Sequence, residues 1–93
     1  MNAAIRQRLA DIAKDVQIRE VLTCLYRDHP HGSSFEGLKD RLFLHDAFED
    51  ARLQELVTER LLAFDGRRYT IAAEARQVLD RDPTILMDEF LRE

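Results

Sequence analysis

The chain has 93 residues, 45% of them hydrophobic and 34% charged, and carries a formal net charge of −4. Those proportions exclude a disordered polyelectrolyte, and no apolar run approaches the roughly 20 residues that a membrane-spanning helix needs. At this length one core buries about 60–70% of the unfolded surface, so a single domain over residues 1–93 is expected.

The first residues alternate apolar and charged groups and lack the hydrophobic centre of an export signal, which points to the cytoplasm. Ile5, Leu9, Ile12 and Val16 recur at helical spacing, and Ile18, Val21, Leu22, Leu25 and Tyr26 begin a second stripe. Two helices, or one bent helix, therefore fill the first third. Cys24, the only cysteine, lies in the second stripe and reads as a small buried hydrophobe, with no intrachain disulfide available. Pro30 and Gly32 stop that helix, and Ser33 with Glu36 has the spacing of a capping box for a helix bearing Phe35, Leu38 and Leu42.

Asp46 and Glu49 repeat the capping spacing before a stripe of Leu53, Leu56, Val57 and Leu61. The segment Leu61–Ile71 then places an Asp65-Gly66 turn between aromatic and aliphatic runs, the pattern of a short antiparallel hairpin. A helix from Ala72 and a last one from Pro83, with Asp82 as cap, close the chain. The fold class expected is mainly α with a small β-hairpin.

Histidines 29, 31 and 45 with Asp28 and Asp46 lack the paired spacing of a zinc motif, so no metal is expected. No nucleophile elbow or glycine-rich phosphate loop occurs, and the carboxylates read as caps and solvent-facing pairs. Neither an enzyme nor a cofactor site is indicated.

The succession of helices, turn, hairpin and helix, with Leu42, Leu44, Leu53, Leu56, Leu61 and Leu62 on its apolar places, resembles a winged helix-turn-helix domain of the ArsR, MarR and PadR types. Gly66 falls at the hairpin turn, and Tyr69, Ile71 and Leu79 match the final stretch of that pattern. The resemblance covers about residues 15–80 and implies a winged-helix core with extra terminal helices at 3–14 and 83–92. Arg60 stands where the pattern has a helix-ending glycine, Phe43 at the turn glycine, Ala72 at a threonine and Ala75 at a second glycine. A side chain resists positive φ, so the turns at those places are expected to differ.

In such a domain the early turns of the recognition helix would face DNA, where Arg, Lys, Asn and Gln read base edges. Residues 46–60 instead hold five carboxylates (Asp46, Glu49, Asp50, Glu55, Glu59) against Arg52 and Arg60, a net of −3 that repels phosphate. If the helix began at Asp46, Phe48 would stand outward among Arg52, Glu55 and Glu59, an aromatic ringed by charges as in protein-binding hot spots; a later start would turn Phe48 inward. The leading expectation is thus a regulator or inhibitor that binds another protein, such as a basic surface on a nucleic-acid enzyme or transcription complex, through Asp46, Phe48, Arg52, Glu55 and Glu59. The alternative is a DNA-binding regulator whose phosphate contacts come from Arg67 and Arg68 in the hairpin and from first-helix arginines. Ile5, Leu9 and Ile12, with Leu86 and Phe90, offer apolar stripes for a homodimer, or for folding back onto the same domain.

Overall fold

The computed structural model describes residues 3–42, 44 and 47–87, and over them the chain is mainly helical with one two-stranded antiparallel hairpin. Helix α1, Ala3–Ile12, ends where the chain turns through residues 13–15, and Asp15 then caps α2, Val16–Thr23, its Oδ1 accepting from the Gln17 and Ile18 amides. The first third is therefore two helices. Val16, expected in the buried stripe, opens α2 and is 54% exposed, because the break restarts the helical phase one residue before it. Beyond Thr23 the backbone widens into a π-helical turn, Cys24–Asp28, closed by the His29 amide donating to the Cys24 carbonyl at 2.8 Å.

Helix α3, Phe35–Arg41, is capped by Ser34 rather than Ser33, with Ser34 Oγ accepting from the Gly37 amide. Ser33 is buried and pairs with Tyr69, each amide donating to the other's carbonyl at 2.8–3.0 Å. Helix α4, Asp50–Thr58, starts three residues later than the Asp46 cap would have it; Glu49 is the cap residue and makes no side-chain cap bond. Asp46 lies outside the described residues.

The end of α4 shows how a missing glycine is accommodated. Arg60 has φ +64°, the left-handed conformation, and the amides of Leu61 and Arg60 donate to the carbonyls of Leu56 and Val57. This is the Schellman closure, normally built on glycine. Leu61 and Leu56, the apolar pair that accompanies it, are both fully buried, so packing holds Arg60 in a conformation its Cβ disfavours. Arg60→Gly should consequently raise stability: relief of about 1–2 kcal/mol of backbone strain outweighs the ~0.4–1 kcal/mol of added freedom in the unfolded chain. Urea unfolding should show a higher midpoint at unchanged slope, and a lowered midpoint would mean that the arginine side chain contributes more than its backbone costs.

Strands β1, Leu62–Phe64, and β2, Tyr69–Ile71, pair with Leu62 opposite Ile71 and Phe64 opposite Tyr69. Asp65 Oδ1 accepts from the amides of Arg67 and Arg68, which centres the turn on Gly66 and Arg67 rather than on Asp65 and Gly66. Helix α5, Ala73–Arg81, follows with Ala72 as an uncapped start, and Pro83–Leu86 makes a single 3-10 turn. Residues 88–92 of the expected last helix, Phe90 among them, lie outside the described residues.

One core joins these elements: Leu9 and Ile12 of α1, the α2 stripe, Leu38, Leu53, Leu56, Tyr69, Leu79 and Ile85. Helix α1 lies against α5 and the 83–86 turn, with Arg6 bonded to Asp82 at 2.5 Å, while a two-pronged pairing of Arg8 with Glu59 ties it to the end of α4. Leu9 and Ile12 are thus spent inside their own chain, as Ile5 and Leu86 are in part. Ile5 and Leu86 keep part of their surface outside that core, and Phe90, the last of the expected dimer residues, lies outside the described residues. No described helix is long and apolar enough to cross a membrane.

Candidate functional site

Because α4 begins at Asp50, Phe48 precedes the helix and is not one of its face residues. Its ring is half-buried against the core and stacks at 6.5 Å on Phe35 of α3. With Glu49 as cap, Phe48 and Leu53 occupy the two places of a hydrophobic staple, which sets the angle at which the chain enters the helix. The outer part of Phe48 walls an open groove of about 320 Å³, with Glu49, Ala51, Arg52 and Glu55 along α4 and with Asp15 and Gln17 from the start of α2.

Of the five residues named for the site, the groove brings together Phe48, Arg52 and Glu55. Glu59 does not join them: one turn further along α4, its carboxylate is engaged by Arg8. That contact raises the Arg8 guanidinium above its ordinary value, first through the hydrogen bond and then through charge attraction. Asp46, the remaining expected member, is outside the described residues. Asp15 and Gln17 are groove residues that nothing in the sequence associates with α4, and Glu49, expected as a capping residue of that helix, lines the groove as well; Asp15 is legible as the cap of α2, but its approach to α4 is a tertiary matter.

Electrostatically the groove is acidic. Among the described residues, Asp15, Glu49 and Glu55 line it against the guanidinium of Arg52, which already pairs with Glu55 at 3.3 Å. The neighbouring Asp50 is held differently, accepting from the hydroxyl of buried Tyr69 at 2.5 Å, while Gln54 Nε2 donates to the same hydroxyl at 2.6 Å. Burial and the Asp50 bond push the Tyr69 phenol up to about 12. This Tyr69 clamp ties the first turn of α4 to β2 and so fixes one wall of the groove.

A cationic side chain suits such a surface, with its charge among the carboxylates and its stem on the aromatic ring. The protein already shows this pairing on the adjacent ring, where Lys39 Nζ lies 5.4 Å from the centre of Phe35. Arg67 and Arg68 lie elsewhere, on the exposed hairpin turn, where their amides hold the Asp65 carboxyl below its ordinary value. Burial pushes the Cys24 thiol up and keeps it protonated. Of the metal set weighed above, His45 and Asp46 lie outside the described residues; among the described residues no three His, Cys, Asp or Glu side chains gather. No protein-family model, curated protein or solved structure matches the chain.

Proposed function

We propose that the chain is a non-catalytic winged-helix protein that acts by binding the basic surface of another protein through the groove at the start of α4. The order α2, α3, α4, hairpin, α5 supports the winged-helix reading, as does the Ser33 bridge, which adds a rung to β2. In that frame α4 holds the place of the recognition helix and the Asp65–Arg68 turn that of the wing. A fold carries no function by itself, so the proposal rests on the site.

The observation that carries it is the joining of Phe48, Glu49 and Glu55 with Asp15 in one open concavity. A DNA reader needs a surplus of donors and positive charge at this place; here an aromatic wall and three carboxylates stand beside Gln17 and an Arg52 already paired with Glu55. Such a surface attracts lysines and arginines and repels a duplex.

Affinity capture from nuclease-treated extracts of cells that make the chain tests the reading, with the wild type beside a Glu49→Lys/Glu55→Lys double variant. Both positions are exposed and the Arg52–Glu55 pair is a surface pair, so thermal stability should hardly change. The partner should be retained by the wild type and bound at least about tenfold more weakly by the variant, the loss expected for two reversed contacts in a charge-matched interface. Retention that requires nucleic acid, or duplex binding that weakens steeply with salt and survives the double substitution, overturns it.

A further inference from the structure

A second concavity, also of about 320 Å³, shares no residue with the α4 groove and has the opposite character. Arg41 of α3 and Arg67 and Arg68 of the hairpin turn line it, over a floor of Gly32, Ser33, Ser34 and Gly37. We infer that this concavity binds a phosphate group. The inference is independent of the partner-binding groove and stands if that reading fails.

Three arginines line one polar hollow in a chain of net charge −4, and among the described residues none of them lies within ion-pair distance of a carboxylate. Asp65, the acid nearest in sequence to Arg67 and Arg68, is held by the turn itself, its Oδ1 accepting from their amides at 2.8 and 2.7 Å, and Asp40, next to Arg41, is exposed. The Asp65 carboxylate also feels the charge of Arg68 and offsets part of the like-charge repulsion among the three arginines; a multivalent oxyanion relieves the remainder.

The arrangement is also partly preorganised. Arg41 Nη1 donates to Ser33 Oγ at 2.8 Å, and Ser33 is itself buried and bridged to Tyr69. Gly37 makes this reach possible, since a Cβ there would lie 2.8 Å from Arg41 Nη1 and 2.7 Å from Ser33 Oγ. The start of α3 contributes no free donor from Gly37, whose amide Ser34 already satisfies, so the attraction comes from the guanidiniums. Planar forks of this kind match the oxygens of a phosphate in pairs, and the lining over the glycine and serine floor is more polar than apolar. A bare phosphate fills only part of the hollow, leaving room for the molecule that carries it.

The test is a titration of the full chain with inorganic phosphate, followed by amide proton–nitrogen spectra against chloride at matched ionic strength. Saturable shifts are expected at the amides of Gly32, Ser34, Gly37 and Arg68. In Arg67→Ala/Arg68→Ala the dissociation constant should rise about tenfold or more, and in Arg41→Lys, which keeps the charge and loses the fork, severalfold. The hairpin positions are exposed, so the double variant keeps its fold. Shifts reproduced by chloride, or an unchanged constant in the double variant, overturn the proposal. A short duplex that competes with phosphate at the same amides assigns the site to a phosphodiester backbone, whereas a mononucleotide that binds where the duplex does not assigns it to a small phosphorylated ligand. Either result upholds phosphate recognition.

Discussion

Gly32→Ala is expected to lower folding stability by about 2–5 kcal/mol, the sum of a strained backbone and a blocked contact. Gly32 has φ +104°, where an L side chain is rarely found, and a Cβ built on it would stand 2.8 Å from both Thr70 Cγ2 and the Tyr69 carbonyl oxygen. The second of those is backbone and cannot rotate away. The turn at 29–32 must therefore withdraw from β2, and the Ser33–Tyr69 bridge next to it weakens. Gly66 provides the control: its φ is +98°, yet a Cβ there meets nothing within 4 Å. Gly66→Ala should cost only the backbone part, about 1–2 kcal/mol. Chemical unfolding of the two variants side by side measures the difference. Equal losses would show that close approach to β2 contributes nothing and that conformation alone demands glycine at position 32.

Much of this architecture was legible in spacing. Ile18, Val21, Leu22 and Leu25 recur at helical intervals and are buried, with Tyr26 at the edge half-buried; in the next stripe Leu53, Leu56 and Leu61 are buried and Val57 half-buried. Boundaries were less legible, with consequences for the site. Asp46 and Glu49 have capping spacing, but so weak a local signal does not fix where a helix starts, and at 100° per residue a shift of a few residues turns a side chain to another face. Phe48 thus became half staple and half groove wall instead of an outward hot spot.

Arg60 was misleading for a related reason. Local preference argues against a left-handed arginine, but burial of Leu61 against the core outweighs a cost of about 1–2 kcal/mol. The meeting of Asp15 with α4, and of Arg41 with Arg67 and Arg68, joins segments far apart in sequence. Composition and periodicity carry no record of such encounters. The charge reading of α4 also needed revision, since Glu59 and Asp50 are bound within the chain and only part of the acidic surplus faces the groove.

Tyr69→Phe should destabilise the protein by about 2 kcal/mol at neutral pH, and the deficit should close as the solution is made alkaline. Tyr69 is 1% exposed, and its hydroxyl both donates to Asp50 Oδ1 and accepts from Gln54 Nε2. Removing a buried hydroxyl bonded to a carboxylate costs about 1.5–3 kcal/mol, softened here because Asp50 is exposed and can turn to water. The same contacts set the pH dependence. Burial, then the Asp50 bond, raises the folded phenol from its ordinary value of 10 to about 12, so above pH 10 the folded state holds a proton that the unfolded chain has released. Its stabilisation is complete below pH 10 and is lost as pH rises through 12, amounting to about 2–3 kcal/mol at 1.36 kcal/mol per unit. A phenylalanine at this position has no proton to lose, so wild type and variant should converge over that window. Tyr26, whose phenol is also raised, chiefly by its bond to Asp80, is present in both proteins and cancels from the comparison. Urea unfolding at about pH 8, 10 and 11.5, spanning the window between the two phenol values, reads the gap directly. A gap that stays constant would mean that the hydroxyl stabilises the fold by filling space against α4 and not through the proton it shares with Asp50.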